Sequence, residues 1–179
     1  MAFNVNEFRS QLTGDGARPN LFEVSMPFPG FSQPGNAQQK MTFMCKTAQL
    51  PGSTVNVVPV QYFGRELKFA GNRTFADWTL QIINDEDFAI RNAVERWMNK
   101  INSHAGNARD INSKDPSSYS VDAEVIQYGK TGNIIKTYKF IGMFPTDLEP
   151  IVLSWESNNT IEEYSVSFSY QYWTNDQTT

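Results

Sequence analysis

The chain has 179 residues, 40% of them apolar and 19% charged, with a formal net charge of −4. This is the balance of one globular domain that buries roughly 70% of its unfolded surface without disulfide or metal staples. The acidic excess argues against gripping nucleic acid through a clustered cationic face, and a lone His with a lone Cys excludes a Cys/His metal centre within one chain.

No window approaches the ~18 apolar residues of a membrane helix. The start, Met1 to Phe8, lacks the basic and apolar regions of a signal peptide. The expectation is a soluble product of a reducing, cytosolic compartment, with no membrane insertion.

Residues 1–20 are polar with Gly14, Gly16 and Pro19, which predicts an irregular arm. Leu21 to Met26 reads as a first strand, and 27–40 as a loop. A strand-like run around Cys45 follows, with the thiol as a small buried side chain. Val55 to Tyr62 is extended, since its valines and Pro59 oppose helix. Gly64-Arg65 reads as a turn, Glu66 to Ala70 as a return strand, and Gly71-Asn72 as a second turn. Trp78 to Ile83 alternates, with Trp78, Leu80 and Ile82 on one face.

One helix is predicted over 85–103. Ile90, Ala93, Val94, Trp97, Met98 and Ile101 follow helical spacing, and Asp85, Glu86 and Asp87 place negative charge on its first turn. A loop over 103–118 precedes strands at 121–128 and 134–144, joined through Gly129 to Asn133 as a hairpin. The last strand alternates most strictly: Tyr164, Val166, Phe168, Tyr170 and Tyr172 on one face, Ser165, Ser167, Ser169 and Gln171 on the other. The fold class is mostly β with one α-helix, a single domain built as a β-sandwich or incomplete barrel.

Catalytic chemistry finds no foothold. His104 lies in a polar loop without a Gly-x-Ser-x-Gly elbow elsewhere. The acidic run 85–87 lacks the spacing of a calcium loop. Glu162 and Glu163 are adjacent on a strand, so they face opposite sides and cannot flank one glycosidic bond. No enzyme, metal or cofactor is expected. The 24 aromatic residues exceed what one core of this size uses, which leaves surface for pairing.

Several blocks carry a resemblance. Gly64 to Leu80, Ile83 to Phe88 with the helix from Arg91 to Trp97, Ala17 to Val24, Gly142 to Thr146 and Leu153 to Asn159 resemble, in order, the tail tube proteins of contractile-tailed bacteriophages. The 27–40 loop stands out as an insertion.

The resemblance implies hexameric rings in which each subunit gives strands to a shared β-barrel, stacked into a hollow tube inside the contractile sheath. Sharing strands removes open sheet edges. By similarity, 55–77 is an extended arm to the adjacent ring, with Tyr62, Phe63, Arg65, Phe69 and Arg73 as its anchors. Polar faces, Thr79 and Gln81 or Ser165, Ser167 and Ser169, are candidates for the lumen wall.

The implied partners are further copies of the chain, the tail sheath, the tape measure protein, the baseplate tube initiator and the tail terminator. DNA would pass without specific binding, and the mature location would be the virion tail after assembly in the host cytoplasm. A tube initiator, the tube of a phage-derived contractile injection device and a β-sandwich carbohydrate-binding module are the alternatives.

Overall fold

The computed structural model describes residues 4–33, 35–110 and 114–178. The turn signals at Pro34 and Asn112 fall outside these. Among the described residues nine strands form two sheets: β1 Phe22–Ser25, β2 Cys45–Thr47, β3 Thr54–Tyr62, β4 Arg65–Thr74, β5 Trp78–Ile83, β6 Val121–Tyr128, β7 Ile134–Leu148, β8 Glu163–Ser169 and β9 Tyr172–Asn175. Seven build an antiparallel sheet in the order β1-β6-β7-β8-β5-β2, with β9 also paired to β7; β3 and β4 pair only with each other. The large sheet curls into an incomplete barrel.

β7 changes neighbours along its length. At Gly142 the backbone takes φ +65°, a conformation glycine tolerates without steric cost, and the Gly142 N–H donates to Asp122 Oδ1 at 3.0 Å. A Cβ here would lie 3.0 Å from the Gln171 side chain. Pairing with β6 ends at Met143, and pairing with β8 begins at Phe144. One long strand thereby serves two walls across a bulge, which bends it and increases its twist.

Among the described residues four helices accompany the strands: α1 Val5–Gln11, α2 Ala37–Met44, α3 Ala89–Ile101 and α4 Pro116–Tyr119. α3 buries Ile90, Ala93, Val94 and Trp97, the stripe its spacing predicts. Trp97 packs edge-on to Phe28 and near Phe168, and its indole N–H donates to the Tyr119 carbonyl at 2.7 Å. On the sheet side, Trp78 stacks on Phe140 with centroids 4.1 Å apart. Val24, Leu80, Ile82, Val125, Val166 and Phe168 complete the same core.

The structure corrects several readings. The single helix becomes four, and the principal one spans 89–101 instead of 85–103. Phe88 adopts a left-handed conformation just before it, so Asp85 to Asp87 form a turn ahead of the helix. There Asp87 Oδ1 accepts from the Ala89 N–H at 3.0 Å, and Lys40 bridges the carboxylates of Asp85 and Asp87.

Half of the 27–40 loop is taken up by a 3-10 turn, Gly30–Ser32, and the start of α2, which runs into the segment read as strand around Cys45. α2 buries only Ala37 and Met41, one turn apart, and leaves Phe43 exposed. Two apolar anchors are too few to write a helical period. The arm at 1–20 carries α1, two turns with no buried residue, held by the Asn4 side chain accepting from the Asn6 N–H at 3.1 Å. In the 103–118 loop, Pro116 opens α4, where its missing N–H is not needed.

Candidate assembly surfaces

β3 and β4 form a hairpin that stands away from the body. Every residue from Thr54 to Thr74 is exposed except the half-buried Gly71. At ~3.3 Å per residue, nine residues reach ~30 Å. Register divides it into two faces. Val58 opposes Phe69, Val60 opposes Leu67 and Tyr62 opposes Arg65; between them Val57 opposes Ala70, Pro59 opposes Lys68 and Gln61 opposes Glu66. Paired residues share a side and successive pairs alternate. One side is therefore Val58, Val60, Tyr62, Leu67 and Phe69 with Arg65 at its end, and the other carries Val57, Pro59, Gln61, Glu66, Lys68 and Ala70.

The turn is Phe63-Gly64, one residue before the predicted Gly64-Arg65. Phe63 has φ +46° and Gly64 φ +79°, the pattern of a type I′ hairpin turn, which normally takes Asn-Gly. A left-handed conformation costs a residue such as Phe about 1–2 kcal/mol. Phe63 is also 93% exposed and touches Tyr62 edge-on, with centroids 4.6 Å apart.

Gly71-Asn72 is a bulge inside β4 and not a turn. The register shifts between Val55 and Val57, and a Cβ on Gly71 would stand 2.9 Å from the Asn56 carbonyl oxygen. Thus Tyr62, Arg65 and Phe69 share one face with Phe63 at the tip. Arg73 pairs with Val55, which puts it on the opposite face.

Two indoles fasten the hairpin root. Trp78 Nε1 donates to the Gln49 carbonyl at 2.8 Å, and Trp173 Nε1 to the Gly52 carbonyl at 3.2 Å.

The polar strand faces come together as one wall. Thr79 pairs with Ser167 and Gln81 with Ser165, and the Thr79 and Ser167 hydroxyls lie 2.9 Å apart. Ser169, two residues along β8, continues the row. Thr47 on β2 meets Gln81 at 3.3 Å, Glu163 accepts from Gln81 at 2.9 Å and from Lys46 at 2.7 Å, and Asp147 opposes Ser167. The wall is rich in hydroxyls and amides, with Glu163 and Asp147 against one lysine.

The groups weighed for chemistry stay apart. His104 is exposed and pairs with the Asn99 side chain at 3.0 Å. Burial pushes the Cys45 thiol up to about 12, which keeps it protonated and inert. Glu162 accepts from Asn84, whereas Glu163 faces Lys46. No group of three or more His, Cys, Asp or Glu able to hold a metal occurs among the described residues.

One surface escaped the sequence reading. The β7–β8 connection exposes Val152, Leu153, Trp155 and Ile161 together. Leu153 to Asn159 stood out only as part of a resemblance, because an apolar run broken by Ser154 has no period to show which way it faces.

The profile described as "Phage tail tube protein" matches residues 17–176. The chain is 35% identical over 162 residues to the tail tube protein gp19 of Enterobacteria phage T4, covering 90% of this chain and 93% of that one. It is 25% identical over 168 residues to the tail tube protein of Serratia phage KSP90, covering 93% of each.

Two solved structures share the fold. The anti-feeding prophage tube-terminating cap matches with a TM-score of 0.61 at 16% identity, covering 91% of each chain. The sheath–tube complex of an extracellular contractile injection system in its extended state matches with a TM-score of 0.55 at 13% identity, covering 98% of this chain and 99% of that one.

Proposed function

This chain belongs to the phage tail tube protein family, and from that premise we propose how it builds its tube. The chain is a structural, non-enzymatic subunit of a contractile tail, located in the virion. Six copies close a ring by joining sheet edges. β1 and β2 end the sheet path, and each is short, at four and three residues. Pairing between copies would satisfy N–H and C=O groups that an open edge leaves bare.

The observation that carries this reading is the hairpin. A two-stranded hairpin is at best marginally stable alone in water, yet this one exposes Val58, Val60, Tyr62, Leu67 and Phe69 on one face. A contiguous apolar face of this kind marks an interaction surface. It acts as the ring-to-ring arm, with Phe63, Tyr62, Phe69 and Arg65 as anchors, and Arg73 supports the root from the other side. Each half-exposed apolar side chain gains about 1 kcal/mol on being covered.

The wall of Thr79, Gln81, Ser165, Ser167 and Ser169 lines the lumen. Hydroxyls, amides and a slight acidic excess offer DNA phosphates nothing to hold, so DNA slides through. The outer surface meets the sheath. Tape measure protein, tube initiator and tail terminator occupy the lumen and the two ends.

Negative-stain microscopy of the purified full chain tests the reading. Uniform rings or hollow tubes are expected; a monodisperse monomer at high concentration, with or without a tube end to template it, overturns it. Replacing Ser165, Ser167 and Ser169 together with Lys should leave tubes intact and slow DNA release. Unimpaired release would remove the lumen assignment.

A further inference from the structure

The hairpin and the β7–β8 connection leave the sheet at opposite ends. β5 and β8 run antiparallel, with Trp78 opposite Phe168 and Ile83 opposite Glu163. Residues 75–77 lead from β4 directly into Trp78, so the hairpin roots at the Trp78–Phe168 end. Residues 149–162 enter β8 at Glu163, so they hang from the other end.

The feet of this loop are fixed. The Glu149 N–H donates to the Ser165 carbonyl at 3.0 Å, the Asn84 N–H to the Glu162 carbonyl at 2.8 Å, and Arg91 Nη1 to the Glu149 carbonyl at 3.2 Å. Between the feet, Trp155 is 99% exposed, Val152 86% and Leu153 78%. The loop also folds around a cleft of about 350 Å³, where Ile151, Leu153 and Ile161 stand among the more numerous polar groups of Ser154, Ser157, Thr160, Glu162 and Glu163.

The charges of the two features are complementary. Residues 54–74 carry Arg65, Lys68 and Arg73 against the single acid Glu66. Residues 149–162 carry Glu149, Glu156 and Glu162 and no Lys or Arg. Both features are apolar, both are exposed, and their net charges are opposite.

We infer that the 149–162 loop is the receptor for the hairpin of a copy in the next ring, with Leu153 and Trp155 covering the Val58–Phe69 face. The inference rests on the reading of the hairpin as the ring-to-ring arm. Two different patches at opposite ends make a head-to-tail contact, which repeats without closing. That gives a tube of unlimited length with a direction built into every subunit. The charge pairing sets orientation and speeds encounter more than it adds affinity.

The test uses two full-length double variants and their mixture. L153S/W155S removes the receptor, and F63S/F69S removes the arm. All four side chains are exposed, so each variant should melt within about 2 °C of the parent. Alone, each should stop at single rings by electron microscopy and sedimentation. Mixed in equal amounts, they should form stacked pairs of rings and nothing longer. The intact arms of the first reach the intact loops of the second, and the outward faces of the pair are both inactive.

Full-length tubes from L153S/W155S, with F63S/F69S still arrested, would overturn the receptor and leave the arm standing. Full-length tubes from F63S/F69S would overturn the arm itself. Arrest of both variants without paired rings in the mixture would also overturn the receptor, because the loop would then act elsewhere.

Discussion

β8 and the β3–β4 hairpin are made of the same materials and meet opposite fates. Both alternate Val, Phe and Tyr with other residues in extended chain. In β8, Tyr164, Val166 and Phe168 are buried against α3 and the sheet while Ser165 and Ser167 face out. In the hairpin both faces are exposed. The apolar face of β8 stabilises the subunit, and we propose that the hairpin's face takes its partner from outside the chain. Apolar alternation therefore says that a face will be covered, without saying by which molecule.

The largest effect should separate the two regions outright. Phe168→Ala opens a cavity in the core and should cost the subunit about 3–5 kcal/mol, read as a lowered denaturant midpoint. Phe69→Ala should change subunit stability by less than about 1 kcal/mol, the worth of one cross-strand pair, and weaken tube formation. Equal losses of stability would erase the distinction.

Gly71→Val comes next. Its Cβ would collide with the Asn56 backbone oxygen, which cannot swing away as a flexible side chain can. The hairpin register should slip at a local cost of about 1–3 kcal/mol. The expected signs are faster proteolysis within 54–74, an unchanged core melting transition and shortened tubes.

Phe63→Asn should give effects of opposite sign in the two regions. Asn-Gly suits the type I′ turn, so the hairpin should gain about 1 kcal/mol, seen as slower amide exchange at Tyr62 and Arg65. Assembly should weaken, because the proposed anchor at the tip is gone. A variant that is both more ordered and better at stacking would show that Phe63 is not an anchor.

The smallest effect belongs to the body alone. Bonds to Asp85 and Asp87 raise the Lys40 pKa above its ordinary 10.5, and the Lys40 bond holds Asp87 below its ordinary 3.8. The Asp87 contribution is present above pH 3.8 and is lost as pH falls through its lowered value. The Lys40 contribution is present below pH 10.5 and is lost as pH rises through its raised value. Lys40→Met should thus be slightly less stable than the parent by a constant margin from about pH 5 to 9. In acid melts below the Asp87 transition the margin should close.

Legibility followed burial. β5, β8 and the α3 stripe were readable because one buried face imposes a period on the sequence. α2 was not, since only Ala37 and Met41 are buried and neighbouring Thr42 and Phe43 favour strand. The hairpin was legible as extended chain, but its turn was misplaced by one residue, because Phe is the wrong residue for a left-handed turn position and Gly64 pointed forward to Arg65. Gly71 looked like a turn for the same reason: a glycine says that the backbone is unusual, and only its neighbours say how.

The sequence by itself determined that this is a mostly β chain without the groups for catalysis, that the strand through Tyr164, Val166 and Phe168 is half buried, and which family it resembles. These follow from local alternation, composition and the order of short blocks. Only the tertiary structure decided that Thr79 and Ser167 share one wall, that Arg73 faces away from Tyr62 and Phe69, and that the hairpin and Trp155 stand at opposite ends. Those are matters of strand register and direction between residues far apart in the chain. A one-residue change of register moves a side chain to the other face, and no local pattern encodes that choice.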